Sequence, residues 1–410
     1  MPSFVTWLDF SEAQQQKLNE TLKTFEEKGT VDDLGFGSIR DAISSSFFPG
    51  TSVLQTRARY FLFIPWIYQY VENQWPKNVQ GKGADFERSL ISALLKSQDL
   101  EGVIGRLREK DLKTLPSSIY WSGLQTFGIF LLKGRGLQQY SKIRSRARER
   151  IEFEGEFESE SGSFWSEIPS APPDFFKFKY AELALTKKEA EWLSEHFLSA
   201  SSITGKPNLL GELVRLVRER DLDFLAWKYI KKDALSDEVD ENLVELIEYS
   251  SHFSSLAYGA SLLYNSMLVD QLIANGREIS FEYDYPNQLL KWVSKSQSNG
   301  LLQWCADIEK FWKCLEVLEN KIPPNTQTFV TRLAELIVED GLEGFASNSE
   351  IRKLIRIREM SHKKNQARFD NPSRLNAYQG EAGLIRMNFR WDLVQRIFKD
   401  IAAAYELGTN

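Results

Sequence analysis

The sequence predicts a mainly α-helical protein built from two helical halves, and three observations support this fold class. Apolar residues recur at the i, i+4, i+7 spacing of a helix face. Capping residues, Pro and Gly stand where such stretches begin and end. Only one short segment, 278–285 (EISFEYDY), has the alternation typical of a strand.

The first half contains a series of predicted helices separated by turn residues. Ser11 is the expected N-cap of the first helix. Pro49 and Gly50 break the chain after the second helix, and Thr51 or Ser52 then caps the third, which contains Pro65. The predicted helices cover 10–28, 38–47, 53–75, 84–97, 99–110, 115–140 (with a Gly-containing loop) and 137–150.

The second half is almost wholly helical in its pattern. Thr186 and Glu189 form a capping box at the start of its first helix, because the spacing lets each side chain bond the other residue's backbone N–H. The predicted helices cover 187–199, 207–232, 237–275, 286–297, 299–320, 326–340, 348–364 and 390–407.

An acidic segment separates the two halves. Residues 151–174 contain seven Asp or Glu, no Lys or Arg, and several Ser and Pro. Such a composition is typical of a linker or exposed loop. The predicted domains are a helical domain with a basic region (1–150), an acidic linker or loop (151–174), a central helical domain (175–346) and a basic C-terminal helical module packed on the central domain (347–410).

No recognisable catalytic or metal-binding motif occurs. The three His residues are isolated from Cys, and the chain has no nucleophile elbow or phosphate-binding loop. We therefore expect no cofactor and no metal, and we favour a protein that is not an enzyme. The two cysteines, Cys305 and Cys314, suit a reducing cytosol. Because no apolar run approaches the ~20 residues of a membrane span and the N-terminus does not resemble a signal peptide, we expect a cytoplasmic protein without a membrane partner.

The charge of the chain is unevenly distributed. The net charge is −6, yet residues 51–150 have 17 Lys or Arg against 8 Asp or Glu, and residues 351–400 have 12 against 5. Two basic regions could form a positive groove for DNA or RNA, or they could be ordinary solvated helix faces. In the first region Arg144, Arg146 and Arg148 are expected to be exposed on a helix.

The segment GTSVLQTRARYF suggests an anion site. A Pro-Gly turn would place Thr51 and Ser52 at a helix N-terminus, where free N–H groups attract anions. Arg57 or Arg59 could bind a phosphate while the other pairs with a carboxylate such as Asp41. The alternative is that both arginines are structural and tie the helix to its neighbours.

A second candidate surface lies near the C-terminus. A loop between two basic helices combines Arg, Asn and Gly, which suit phosphates, base edges and close approach of another chain. The alternative is a structural loop that closes onto the core with Trp391 as its anchor. The candidate residues are Arg368, Arg374, Asn376, Arg386 and Arg390.

One weak catalytic pattern remains. Arg356 and His362 match the loose Arg-x4–6-His pattern of an α-helical, metal-independent class of ribonucleases, in which His acts as acid or base and Arg stabilises phosphate charge. The alternative is an exposed helix end with a solvated His.

Four blocks of sequence resemble an uncharacterised bacterial protein family, a domain of unknown function. They are RDAISSSFFPGTSVLQTRARYFLFIPWIY, LPSSIYWSGLQTFGI, HFSSLAYGASLLYN and ARFDNPSRLNAYQGEAGLIRMNFRWDLVQRIFKDI, spread over nearly the whole chain. The resemblance implies a prokaryotic protein, often encoded in anti-phage defence islands beside helicases and phospholipase-D-like proteins. It assigns no catalytic residue.

Three functions therefore stand as hypotheses. The first is a non-catalytic subunit or sensor of a prokaryotic anti-phage defence or restriction system, which binds nucleic acid or a protein partner. The second is a ribonuclease that uses Arg356 and His362. The third is a protein-interaction scaffold with no nucleic-acid role.

Overall fold

The computed structural model describes residues 32–107, 112–154, 163–204, 208–219, 241–317, 322–384 and 386–406. For 147–154, 201–204 and 215–219 the backbone alone is described. These residues are mainly helical, which confirms the predicted fold class. In chain order the α-helices are α1 (Gly37–Phe47), α2 (Tyr60–Gln74), α3 (Val79–Leu94), α4 (Pro116–Thr126), α5 (Leu137–Glu154), α6 (Lys187–Thr204), α7 (Leu209–Glu219), α8 (Glu241–Ala274), α9 (Tyr285–Ser298), α10 (Leu301–Ala306), α11 (Ile308–Val317), α12 (Pro324–Gly344), α13 (Ser349–Lys363), α14 (Pro372–Asn376) and α15 (Trp391–Glu406).

The described residues form two compact units, each made of separate pieces of chain. The first unit takes those within 45–219 and 390–406, and the second takes those within 32–44 and 241–389. The second unit therefore ends inside the C-terminal module expected from the sequence. The four domain limits inferred from the sequence remain predictions.

Helix α2 is the centre of the first unit. Its residues from Tyr60 to Tyr68 are all buried, because the helix is apolar on every side rather than on one face. It packs against α3 and α4, while α6, α7 and α15 pack together. The core is aromatic: the ring of Phe61 contacts those of Tyr120, Phe127 and Phe197.

Helix α8, 34 residues long, is the centre of the second unit. Helices α9, α10, α11, α13 and α14 pack against it. Gly259 permits a close approach of α9, since a Cβ there would lie 2.3 Å from the ring of Trp292. Trp292 also donates from Nε1 to the carbonyl of Ser255 at 2.8 Å.

The described residues of the acidic segment 151–174 lie within the first unit. Residues 151–154 end α5, and 163–174 pack in the first unit. Trp165 is buried, and it forms a β-bridge with Phe130. Burial of this aromatic side chain stabilises the segment more than its polar composition suggests.

Several predicted elements differ from the structure. The helix expected over 53–75 begins at Tyr60, and 99–107 forms turns rather than a helix. The strand expected near 278–285 is wrong, because that segment has no pairing partner in the described chain. The single helix expected over 299–320 is two helices that meet at Asp307, with Cys305 and Cys314 buried in different ones.

The remaining predicted helices of the second half agree in position over their described residues, while 220–240, which include parts of two of them, and the helix expected over 10–28 lie outside the described residues. Thr186 and Glu189 form the predicted capping box. The backbone N–H of Thr186 donates to the Glu189 carboxylate at 2.8 Å, and that of Glu189 donates to Thr186 Oγ1 at 3.3 Å. Among the described helices, none is both long and apolar enough to span a lipid bilayer.

Candidate nucleic-acid interface

Thr51 and Ser52 do not cap a helix, so the helix N-terminus expected there is wrong. Both lie in the turns before α2. Thr51 Oγ1 donates to the Phe48 carbonyl at 2.7 Å, and the Thr51 carbonyl accepts from Arg390 at 2.8 Å. The Tyr120 hydroxyl accepts from the backbone N–H of Thr56 at 2.8 Å and of Arg57 at 3.0 Å, which holds these residues outside the helix. Tertiary hydrogen bonds therefore override the local helical pattern.

Arg57 ties the start of α2 to two carboxylates. It donates from Nε to Asp400 at 2.9 Å, and its guanidinium lies 2.6 Å from Asp99. Burial raises the pKa of Asp400 to about 6, although the neighbouring Arg57 favours its charged form. Arg57 is thus a structural residue, as the second interpretation of the sequence held.

Arg59 is a buried structural residue as well. It pairs with Glu189 at 2.9 Å and donates to the Glu182 carbonyl at 2.9 Å. Because Glu189 also closes the capping box of α6, one carboxylate joins the start of α2 to the start of α6. Asp41, the carboxylate expected for this role, pairs with Arg40 instead.

The helix α5 presents two different faces. Tyr140 and Arg144, one turn apart, both face the buried carboxylate of Glu72, and Arg144 donates to it at 2.8 Å. Arg144 is therefore not the exposed residue that the sequence predicted. Lys142 and Arg146, also one turn apart, lie on the exposed face. The side chain of Arg148 is outside the described residues.

The loop before α5 adds two more exposed cations. Lys133 and Arg135 are exposed, and the carbonyl of Arg135 is held inward by Trp121 Nε1 at 2.9 Å and Gln125 Nε2 at 2.6 Å. A backbone fixed on its inner side leaves the cationic side chains toward solvent. We call Lys133, Arg135, Lys142 and Arg146 the basic strip.

In the second unit, Arg368 belongs to a buried network rather than to a free surface. Its guanidinium lies 2.5 Å from Asp33 and donates to the Tyr264 hydroxyl at 2.8 Å. Its backbone N–H donates to the buried Glu359 at 2.6 Å, and Lys363 also pairs with Asp33. Two carboxylates and two cations therefore pair with one another inside the unit.

The other members of the C-terminal set are divided between structural and exposed positions. Arg390 donates to Thr51, as described above. Arg374 is exposed on α14, and the Asn376 carbonyl accepts from Arg277 at 3.3 Å. Arg386 is exposed, with its guanidinium 4.0 Å from the centre of the Tyr258 ring. Arg374 and Arg386 thus remain open to an anionic partner.

Arg356 and His362 face different elements. Six residues of a helix turn the chain by about 600°, which leaves the two side chains about 120° apart around α13. Arg356 lies 4.3 Å from the Phe369 ring centre and donates to Gln271 at 2.9 Å. His362 is exposed, with Nε2 3.1 Å from the Asp32 carbonyl. No arrangement of the two toward a common substrate is present.

Sequence reasoning missed a buried arginine on α13. Arg358 donates to the carbonyls of Leu34 at 2.7 Å and Gly35 at 3.1 Å, and to Thr326 Oγ1 at 2.9 Å. Burial lowers the pKa of this guanidinium, because desolvation disfavours its charged form, while the nearby Asp32 opposes the shift. The sequence does indicate that this position is buried, because Arg358 lies at i+7 from Ile351 on the same face of the helix.

Sequence reasoning also missed a group of half-exposed aromatic rings in the first unit. Trp75, at the end of α2, is 38% exposed and lies 5.6 Å from the ring of Phe86. The ring of Phe176 stacks on Tyr70 at 4.1 Å. The alternation of Phe and Lys in 175–180 (FFKFKY) was the signal for it. In the parts of the chain that the structure describes, no cluster of three or more His, Cys, Asp or Glu could hold a metal ion.

Comparison with known proteins identifies a family for this chain. The profile of a family of unknown function (DUF6361) matches residues 2–405. The chain belongs to DUF6361. The expected membership of an uncharacterised family is thereby confirmed. No match of this DUF6361 protein to a curated protein or to a solved structure was found.

Proposed function

We propose that this DUF6361 protein is a non-catalytic subunit that binds nucleic acid through the basic strip of its first unit. One observation carries the proposal. Residues 112–148 contain seven Lys or Arg and no Asp or Glu, and the side chains of the basic strip in this stretch are exposed. Cations that no local acid neutralises attract phosphates.

Arg144 does not contribute to the positive charge of this surface. Glu72 is buried and neutralises Arg144, so this pair contributes to packing rather than to the surface field. Lys142 and Arg146 project from the opposite side of the same helix turn. The net charge of −6 over the whole chain does not cancel this local positive field. Salt screening limits the effect of distant acidic residues to about 10 Å.

Reversal of two charges tests the proposal. The Lys142→Glu/Arg146→Glu variant should bind labelled DNA and RNA more weakly than the unmodified protein in fluorescence anisotropy. The slope of log K against log salt should become shallower by about 1.8 for duplex DNA and about 1.4 for single strands, because each lost phosphate contact removes about 0.9 or 0.7.

A matched control is available in the second unit. Lys291 and Lys295 are exposed, one turn apart on α9, so Lys291→Glu/Lys295→Glu makes the same charge change elsewhere. It should leave affinity and salt slope nearly unchanged. Equal effects of the two double variants, or no binding of any probe at low salt, would refute the basic strip as the binding surface.

The biological setting is a further part of this proposal and rests on the resemblance described from the sequence. We place the protein in the cytoplasm of a prokaryote, as a subunit or sensor of an anti-phage defence or restriction system. Its expected partners are helicases or phospholipase-D-like proteins. Co-purification of a tagged chain with the products of neighbouring genes tests this setting independently of the DNA-binding assay.

A further inference from the structure

The first unit has a cluster of aromatic rings at its surface, which we call the aromatic patch. It consists of Tyr70, Trp75, Phe86, Phe176 and Phe178. Neighbouring rings are 4.1 to 6.1 Å apart, with Tyr70 at the centre of three of the contacts. None of the five is fully buried, although aromatic side chains of this size are usually covered when they have only a packing role.

The segment that supplies two of these rings is held in an unusual backbone conformation. Asp174 has φ 65° and Phe178 has φ 47°, so two non-glycine residues in the left-handed region flank the short helix Phe175–Lys177. A bulky residue such as Phe rarely adopts this conformation, so the surrounding contacts must hold the segment in it. Lys96 Nζ donates to the Lys179 carbonyl at 2.9 Å and holds the segment in place.

Cations alternate with the rings in this segment. Lys177 follows Phe176, and Lys179 follows Phe178. Lys177 lies 2.6 Å from Asp174, whereas Lys179 is exposed and forms no ion pair with the residues that the structure describes. The patch therefore combines ring surface with a nearby positive charge.

One segment of chain connects the aromatic patch with the basic strip. Trp75 immediately precedes the short helix Pro76–Asn78, which packs against α5. The backbone N–H of Gln80 donates to Ser141 Oγ at 3.2 Å, and Ser141 is the neighbour of Lys142 in the strip. The segment 75–80 thus joins one surface to the other within the same unit.

We infer that the first unit binds single-stranded nucleic acid, with bases stacked on the aromatic patch and phosphates along the basic strip. The inference rests on the proposed function and specifies its ligand. The bases of a duplex are already stacked on each other, so exposed aromatic rings distinguish single strands from duplexes. Stacking accepts any base, which fits a surface without a visible arrangement of base-reading side chains.

Trp75→Ala tests the inference with a labelled oligothymidylate of about 16 nucleotides and a duplex of equal length. Loss of one stacking ring should weaken binding of the single strand by roughly 5- to 150-fold and leave duplex binding nearly unchanged. Trp75→Tyr should restore most of the affinity, because it keeps a ring. Tyr283→Ala, which removes an aromatic side chain 42% exposed in the second unit, is the matched control and should have no effect.

The outcomes separate the inference from the proposed function. If Trp75→Ala and its parent bind the single strand equally, while Lys142→Glu/Arg146→Glu weakens binding, the patch does not bind bases and the basic strip stands. In that case the patch is better explained as a surface for a protein partner. If Trp75→Ala weakens binding of both probes equally and Trp75→Tyr does not restore it, the ring is structural and the inference is wrong. If no probe binds the parent protein, the inference and the proposed function both fail.

Discussion

Replacement of the buried Glu87 by Gln is expected to make the protein more stable at neutral and alkaline pH. Glu87 is fully buried on α3. Its Oε1 accepts from the Tyr68 hydroxyl at 2.8 Å, and its Oε2 accepts from the Ser117 backbone N–H at 2.7 Å. No salt bridge to it occurs among the described residues. Gln has the same shape and no charge. Its Oε1 can accept from the Ser117 backbone N–H, and its Nε2 can donate to the Tyr68 hydroxyl, which then acts as the acceptor.

The magnitude follows from the shifted pKa. Burial raises the pKa of Glu87 from 4.5 to about 6, while its hydrogen bonds from Ser117 and Tyr68 oppose the shift. The folded state therefore binds this proton more tightly than the unfolded state. The stabilising effect of the protonated Glu87 side chain is therefore present below pH 4.5 and is lost as the pH rises through 6. The difference between the pKa values of Glu87 in the unfolded and folded states corresponds to about 2 kcal/mol in the free energy of unfolding.

The assay is urea unfolding, followed by tryptophan fluorescence, at about pH 4.5 and about pH 8. The stability of Glu87→Gln relative to the parent should rise by up to about 2 kcal/mol between the two conditions. Asp400, whose pKa burial also raises to about 6, titrates equally in both proteins and cancels in the difference. A stability difference that stays constant with pH, or that grows toward acid, would refute the reasoning.

Two further predictions concern stability. Arg144→Ala should destabilise the protein by roughly 3–5 kcal/mol, because it leaves the buried Glu72 without its cation, whereas Arg146→Ala on the exposed face should not change the urea midpoint. Equal midpoints for the two variants would contradict the two-faced description of α5. Leu62→Ala and Trp391→Ala should each cost roughly 2–5 kcal/mol, since both side chains are buried and their loss leaves cavities. Unchanged thermal melts for either would show that the buried faces are misassigned.

The sequence predicted best those elements whose causes are local. The capping box of Thr186 and Glu189 formed as expected, since its two hydrogen bonds need only residues three apart. Helix α1 began within one residue of its predicted start. In both places the side chains that decide the structure lie within one or two turns of each other.

The predictions that depended on distant partners were less successful. The turns before α2 are held by the Tyr120 hydroxyl, more than 60 residues away in the sequence, which no local pattern reveals. The segment 278–285 alternates like a strand, but a strand also needs a neighbour to pair with, and the fold provides none there among the described residues.

The same division applies to the candidate surfaces. The sequence by itself determined the helical fold class and the excess of cations between 112 and 148, because periodicity and charge are properties of the chain. Only the tertiary structure decided which cations are free for a ligand. It paired Arg57 with Asp400, 343 residues away, and Arg368 with Asp33, 335 residues away, while Lys142 and Arg146 stayed exposed. A cation is neutralised by whichever carboxylate folding brings within a few ångströms, and that distance is not written in the order of the residues.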